Sequence, residues 1–237
     1  MISVCVATYR AHPAPNLASL GAALPAAFAG EAGELCVALN GIDADAAGVP
    51  AGARTVTLGV NRGVAPGWNA AASAATGDVL VFANDDCGPG ASAFATLAGA
   101  LRENPRAGVV GPVGTRWDIP RGEHREWVST AELAPGALVA CEVISGFCFA
   151  VRRETFDAVG GFDEFYAPAS WEEVDFCTAV RAQGLENYAV AGVEVAHEWG
   201  VSAKAPAWRR IAFDGRRELL WSIHRRNRRH FLKKWGG

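Results

Sequence analysis

Three short stretches of the chain hold residue types that could do chemistry. Asn84-Asp85-Asp86 follows the apolar run Asp78–Ala83 and precedes Cys87-Gly88-Pro89-Gly90. Carboxylates there are hard oxygen ligands suited to Mg²⁺ or Mn²⁺, cations that also bridge substrate phosphates. Taken alone, two acids in a turn before a helix serve equally well as a cap. The run Trp171-Glu172-Glu173-Val174-Asp175 opens a helical pattern. A tryptophan offers a flat surface to the C–H face of a sugar, and a neighbouring carboxylate can take a proton from a hydroxyl. Acids in a first turn also simply favour the helix dipole. His197, in Ala196-His197-Glu198-Trp199-Gly200, brings an imidazole, a good ligand for transition metals. The sequence has no G-x-x-x-x-G-K-[ST] phosphate loop, no G-x-G-x-x-G fingerprint and no Ser-His-Asp or Cys-His arrangement.

The elements around these stretches set their places. Ile2–Thr8 is short, apolar and Val-rich, as expected of a strand buried on both faces. Further strands are expected at Glu34–Leu39, Arg54–Leu58, Asp78–Ala83, Ala107–Val113, Val143–Val151 and Tyr188–Val195. Helices are expected at His12–Phe28, Val64–Ala75, Gly90–Glu103, a short piece from Arg153, and Trp171–Gln183. The remainder reads as one long helical pattern to Trp235. Strands alternating with helices predict an α/β fold, a mostly parallel central sheet with helices on both faces. Asp85 and Asp86 then stand at the carboxyl end of a strand, where ligands of open α/β sheets bind. Gly114–Gly136 has no clean period and carries Trp117, Arg121, His124, Arg125, Glu126 and Trp127, the mark of a functional segment.

The 237 residues suffice for one well-cored domain, and half of them are hydrophobic. A net charge of -3 conceals an asymmetry. Residues 204–237 hold eleven Lys and Arg against two acids, whereas residues 1–203 hold eleven against 23. Such a basic tail has two readings: a solubilised amphipathic helix packed on the acidic body or joining two copies, or a helix lying on an anionic membrane. Binding to nucleic acid is not expected of an acidic body. The six cysteines (Cys5, Cys36, Cys87, Cys141, Cys148, Cys177) show no metal spacing and read as buried thiols, which points to the cytoplasm. The first residues do not form a signal peptide, and no run is long enough to span a membrane.

Read in order, the pieces resemble the family 2 glycosyltransferases, inverting enzymes of the GT-A fold, and within them the rhamnosyltransferase-like branch. The resemblance covers nearly the whole chain. It rests on Thr8-Tyr9 after the first strand, Asn40-Gly41 after the second, N-R-G-V-A-P-G-W-N from Asn61 to Asn69 and G-D-V-L-V-F-A-N-D-D from Gly77 to Asp86. It continues through S-G-F-C-F-A-V-R-R-E-T-F from Ser145, V-G-G-F-D-E-F-Y from Val159, W-E-E-V-D-F-C from Trp171, R-A-Q-G from Arg181, His197, and R-R-N-R-R-H-F-L from Arg225. The resemblance implies that Thr8, Tyr9, Arg10 and Asn40 line the nucleoside pocket, and that Asn61, Gly63 and Asn69 shape the donor pocket. It matches Asn84-Asp85-Asp86 to a D-x-D-type motif, with Asp86 and His197 holding a divalent cation (Mg²⁺ or Mn²⁺) and Asp85 near the donor. It makes Glu173 the catalytic base, with Glu172 next, and places Trp171, Gly146 and Phe147 on the acceptor side. Where the family commonly has Asp before the Asn of the second strand, this chain has Leu39, so the donor stays open among dTDP-, UDP- and GDP-sugars. The family's usual Asp at the base is here Glu173, one methylene longer.

The expected organisation is a single domain: 1–113 for the nucleotide sugar, 114–203 for the acceptor and 204–237 as a basic C-terminal helix. The acceptor is a saccharide, a glycolipid or a lipid-linked saccharide, and the expected place is the cytoplasm, including the inner face of the plasma membrane. A second copy of the chain is a further expected partner. Two rival readings stand beside this one. A nucleotidyltransferase would carry a Gly-rich, basic signature after the first strand, where this chain has Ala7-Thr8-Tyr9-Arg10. A degenerate fold serving as a binding module would not be expected to keep Asp86, Glu173 and His197 together.

Overall fold

The computed structural model describes residues 1–10, 16–197, 206 and 208–237. In chain order the elements are β1 (Ile2–Thr8), α1 (Leu17–Phe28), β2 (Gly33–Leu39), α2 (Ala44–Ala47), β3 (Arg54–Thr57), α3 (Val64–Ala74), β4 (Val79–Ala83), β5 (Gly88–Pro89), α4 (Ala93–Glu103) and β6 (Ala107–Gly111). They continue with β7 (Gly114–Asp118), β8 (Glu123–Val128), β9 (Leu138–Cys141), β10 (Val143–Ile144), β11 (Cys148–Arg152), α5 (Arg153–Val159), α6 (Glu172–Ala182), β12 (Glu186–Val190), β13 (Val195–Ala196), β14 (Arg210–Phe213), β15 (Arg216–Leu219) and α7 (Leu220–Trp235).

The main sheet has the order β3-β2-β1-β4-β11-β6-β12-β9. The pairings of β1 with β2 and β4, β2 with β3 and β6 with β12 are parallel, whereas β11 runs against both β4 and β6, and β9 against β12. The fold is thus α/β with a mostly parallel central sheet, as the alternation of elements requires.

The central strands read as continuous apolar runs because both faces are covered. Along β4, Val79, Val81 and Ala83 face the layer formed by α1 and α4, where Leu17, Leu20, Phe94 and Leu97 are buried. Leu80 and Phe82 face the opposite layer, with Trp68, Phe149, Phe156, Phe162 and Phe176. The Phe82–Phe162 rings meet edge to face at 4.8 Å and Phe162–Phe176 lie 4.5 Å apart, geometry aromatic pairs favour. Strands from both sides of residue 113 share this sheet and both buried layers.

Several expected elements are redrawn. The first helix begins at Leu17, where Asn16 and Ser19 form a capping box, and His12 to Pro15 lie outside the described residues. The helix expected from Gly90 begins at Ala93. The strand expected over Val143–Val151 divides into β10, paired with β7, and β11 in the main sheet. Gly114–Gly136, expected to be irregular, contains the β7–β8 hairpin. The strand expected over Tyr188–Val195 is Glu186–Val190, with Val195–Ala196 in a separate ribbon. The long C-terminal helix begins only at Leu220, because Arg210–Leu219 forms a hairpin. Gly215, with φ +71, makes the tight turn that this hairpin needs.

Candidate active site

The carboxyl ends of β1, β2 and β4 lie at one edge of the sheet. Because β11 runs the other way, its first residues reach the same edge. Ser145-Gly146-Phe147, the crossing between the two sheets, therefore joins the site: Asn84 N–H donates to Phe147 O at 2.9 Å. This explains why a segment that reads as one strand must break there.

Among the residues expected to face a donor, buried Thr8 donates from Oγ1 to Asp85 Oδ2 at 2.6 Å, tying the end of β1 to the end of β4. Tyr9 is exposed, with the Arg10 guanidinium 5.3 Å from its ring. Asn40, 3% exposed, donates from Nδ2 to Gly63 O at 2.9 Å and accepts from Arg62 N–H at 2.7 Å. Gly63 has φ +101, and a Cβ there would lie 2.6 Å from Pro168 Cα, so no other residue fits. Asn61 accepts from Gly63 N–H at 3.0 Å and donates to Ala212 O at 3.1 Å. Asn69 is bonded in both directions to Phe162 and also to Glu164. Asn61 and Asn69 thus brace the wall of this crevice with bonds to the protein itself. Leu39, 5% exposed, points into the apolar layer beneath β1 and β2 and offers nothing to a nucleobase.

Asp86 and His197 are brought together by a two-stranded ribbon. Gly88-Pro89 pairs with Val195-Ala196, and Gly90 N–H donates to Glu194 O at 2.8 Å. Asp86 Oδ1 then lies 3.4 Å from His197 Nε2, and the two side chains are 16% and 12% exposed. Asp86 Oδ1 is buried with no hydrogen bond, the state of an anionic ligand atom whose partner is not protein. Asn84 Nδ2 stands 3.1 Å from His197 Nε2, and Phe147 stacks on the imidazole with centroids 4.8 Å apart at 20°. If the amide donates, Nε2 is the unprotonated nitrogen, and a metal ion bound there would replace that hydrogen bond. One carboxylate and one imidazole fit a divalent cation that takes its remaining ligands from phosphate and water. Among the described residues no cluster of three or more metal-ligating side chains exists. Glu198, Trp199 and Gly200 lie outside the described residues.

Glu172 and Glu173 open α6 after two non-glycine residues in left-handed conformation, Ser170 (φ +87) and Trp171 (φ +79). Consecutive strained residues persist only where surrounding structure holds them, and they cluster at functional sites. The holding comes from α7: Asn227 donates from Nδ2 to Tyr166 O, Ala169 O and Ser170 O at 2.8, 3.2 and 2.9 Å. Asp175, one turn into α6, accepts from Tyr166 Oη, Lys234 Nζ and Trp235 Nε1 at 3.0, 2.7 and 2.7 Å. Burial raises the Glu173 pKa above the ordinary carboxyl value, against the lowering effect of the backbone N–H groups of residues 173 and 174. Burial raises that of Glu172 further, with repulsion from Glu173 adding to it, and its Oε2 has no hydrogen bond. Glu173 is half-buried and Glu172 only 8% exposed, so Glu173 is the one open to a substrate. A Cβ on Gly146 would lie 3.2–3.3 Å from Glu173 Cβ, Cγ and Cδ, so the missing side chain at 146 leaves that carboxyl its room.

Trp171 packs against Trp117 and Phe231, at 5.5 and 5.1 Å between centroids, and so is partly a wall and only partly a surface. Sequence reasoning missed Asn227 and the Thr8–Asp85 bond. Asn227 had one usable signal, an uncharged polar residue within the basic run Arg225–Arg229.

Comparisons with known proteins bear on the family and the fold. Residues 44–160 match the family described as Glycosyl transferase family 2. A curated relative from Sinorhizobium fredii, the uncharacterized protein y4gI, is 25% identical over 155 residues, covering 56% of this chain and 17% of its own length. The O-antigen biosynthesis protein RfbC of Myxococcus xanthus is 26% identical over 167 residues, covering 59% of this chain and 12% of its own. The chain thus spans less than a fifth of the length of either relative. Among solved structures, GalNAc-T7 with UDP, GalNAc and Mn²⁺ superposes with a TM-score of 0.59 at 13% identity, over 83% of this chain and 43% of that one. The mannosyltransferase PcManGT of Pyrobaculum calidifontis, in complex with GDP-Man and Mn²⁺, gives 0.54 at 20% identity, over 81% and 55%. The family match across the centre of the chain, with the GT-A fold shared by these neighbours, supports a family 2 glycosyltransferase.

Proposed function

We propose that the chain is an inverting glycosyltransferase that moves a sugar from a nucleotide-sugar donor to a hydroxyl of a saccharide, glycolipid or lipid-linked saccharide. The observation that carries this reading is the placing of two chemically different groups at one edge of the sheet. One is a converging carboxylate and imidazole, Asp86 and His197, and the other is a half-buried carboxyl, Glu173, with space kept open by Gly146.

Asp86 and His197 would hold Mg²⁺ or Mn²⁺, which when bound supplies charge neutralisation for a diphosphate leaving group. Thr8 orients Asp85 through the 2.6 Å bond, and Asn40 fixes the loop carrying Gly63, which would border the donor. Glu173 would accept the proton of the acceptor hydroxyl at its carboxylate as that oxygen attacks the anomeric carbon from the face opposite the leaving group. A burial-raised pKa suits a base working near neutral pH, and such a base contributes roughly 10²–10⁴-fold. One displacement inverts the anomeric centre. The rhamnosyltransferase-like branch, with a dTDP-sugar donor, is the finer form of this reading. It rests on the order of the motifs, and the family match carries the glycosyltransferase reading over the nucleotidyltransferase one.

α7 supports a second surface. Its Ile223, Asn227 and Phe231 are buried against the body, while Arg225, Arg228, Arg229 and Lys233 are exposed, near-neighbours in sequence of exposed Trp221. Interfacial tryptophan beside cations is suited to an anionic membrane surface bearing a lipid-linked acceptor.

The test is a panel of dTDP-, UDP- and GDP-sugars incubated with the protein and Mn²⁺ and followed by proton NMR, with water serving as acceptor. Release of a nucleoside diphosphate from one donor, with the opposite anomer of the free sugar appearing first, is expected. A first-formed sugar of retained configuration contradicts inversion, and no release from any donor contradicts the transferase reading.

A further inference from the structure

The β7–β8 hairpin has two unlike faces, and a β-bulge makes them so. Thr115 stands opposite Trp127 and Trp117 opposite His124, with the register shifting between Arg116 and Trp117. In a regular strand residues 124 and 127 would point to opposite faces. The extra residue, Arg125, puts His124 and Trp127 on one face with Thr115 and Trp117. The charged side chains fall elsewhere: Arg116 pairs with Glu126, and Asp118 pairs with Arg121 and Arg125. Bulges next to active sites commonly re-aim a side chain in this way.

The aromatic face leads away from the candidate base. Trp171, two residues before Glu173, meets Trp117 at 5.5 Å. Trp117 meets His124 at 5.8 Å, and His124 meets Trp127 at 5.3 Å. Trp117 Nε1 donates to Thr115 Oγ1 at 2.9 Å, which fixes its ring. Exposure rises along the series, from half-buried Trp171 and Trp117 to exposed His124 and to Trp127 at 57%. Each step is of the order of one pyranose ring. An uncharged ring series of this kind suits the C–H faces of sugars, which need stacking surface rather than countercharge.

We propose that this hairpin face is an extended acceptor subsite. It packs a saccharide of several units against Trp117, His124 and Trp127, while the hydroxyl-bearing terminal unit sits at Glu173. The proposal deepens the transferase reading and rests on it for the placing of the terminal unit. It assigns the acceptor to the oligosaccharides, as opposed to a lone sugar or a bare lipid.

The experiment uses the full chain labelled with 5-fluorotryptophan and read by fluorine NMR, with Trp127→Phe identifying the Trp127 resonance. The probes are cello-, malto-, chito-, manno- and rhamno-tetraoses and their monosaccharides. A shift of the Trp127 resonance by at least one tetraose, at least tenfold weaker for its monosaccharide, is expected, and the affinity read from the Trp117 resonance on the same face should fall at least tenfold in Trp127→Ala. Trp127→Phe, which keeps a stacking ring, is expected to bind within about threefold of the wild type. No shift with any tetraose overturns the proposal, as does equal affinity for monosaccharide and tetraose. Concentration-dependent dimerisation abolished by Trp127→Ala also overturns it, because the face is then an interface between copies. Nucleoside diphosphate binding with Mn²⁺ is measured in the same samples. If it is retained without a tetraose response, the subsite fails and the transferase reading stands; if it is absent for every nucleotide, the transferase reading fails.

Discussion

At the scale of single residues the site depends on carboxyl groups kept where water is scarce. Glu172 has its pKa raised by burial and by Glu173, so its neutral form is favoured in the folded chain. Its contribution to stability is therefore fully present below the unfolded carboxyl pKa and is lost as pH rises through the higher folded value. Glu172→Gln should raise Tm at pH 8, each kcal/mol of relieved desolvation corresponding to about 2–4 °C in a chain of this size, and the gain should vanish near pH 4. Scanning calorimetry at the two pH values checks it, and an unchanged Tm at pH 8 would show the carboxyl to be solvated or paired. Gly146→Ala places a methyl group within 3.3 Å of Glu173 and should reduce turnover while leaving nucleoside diphosphate affinity unaltered. Asp86→Ala should act at the nucleotide end instead, abolishing the Mn²⁺ dependence of nucleotide binding in calorimetric titration. Of these residues the sequence displayed the carboxylates and the histidine plainly, because charged groups at the ends of apolar runs stand out. It could not display the orphaned Oδ1 of Asp86 or the room left by Gly146, which are properties of the assembled crossing.

At the scale of elements, α7 holds the entry to α6. Asn227 bonds three carbonyls ahead of Trp171, and Phe231, fully buried, packs on Trp171 itself. Asn227→Ala leaves those carbonyls without a donor and should destabilise the chain by about 1–3 kcal/mol, as removing one partner of a buried hydrogen-bonded set does. Turnover should fall more than donor binding, since the strained Ser170–Trp171 turn aims Glu173. Chemical denaturation together with a kcat and KM comparison checks both parts. Apart from β9, which was not expected, the main sheet was legible because short apolar runs have few alternatives when both faces are buried. The β7–β8 hairpin was hidden by its bulge, which breaks the period of two. Arg210–Leu219 was hidden because its arginines suited the helical pattern that follows.

At the scale of the whole molecule, the basic C-terminus is divided in use. Lys234 pairs with Asp163 and Asp175, and Arg226 with Glu218, so part of its charge joins the tail to the acidic body. The exposed arginines and Trp221 are left for another surface. Binding to vesicles containing phosphatidylserine should fall steeply between low and physiological salt and weaken in Trp221→Ala; salt-independent binding would contradict an electrostatic surface. Among the described residues no helix is long and apolar enough to cross a membrane. All six cysteines are free and buried, and burial pushes the Cys148 thiol up to about 12.

The central claim, that a nucleotide end built on Asp86 and His197 and a separate base at Glu173 work together, is tested most directly with Glu173→Gln. Nucleoside diphosphate affinity in the presence of Mn²⁺ and donor turnover would be measured on the same preparation. The account predicts an affinity within about twofold of the wild type and a turnover lower by roughly 10²–10⁴-fold. Near-normal turnover with intact binding would contradict it and move the base elsewhere.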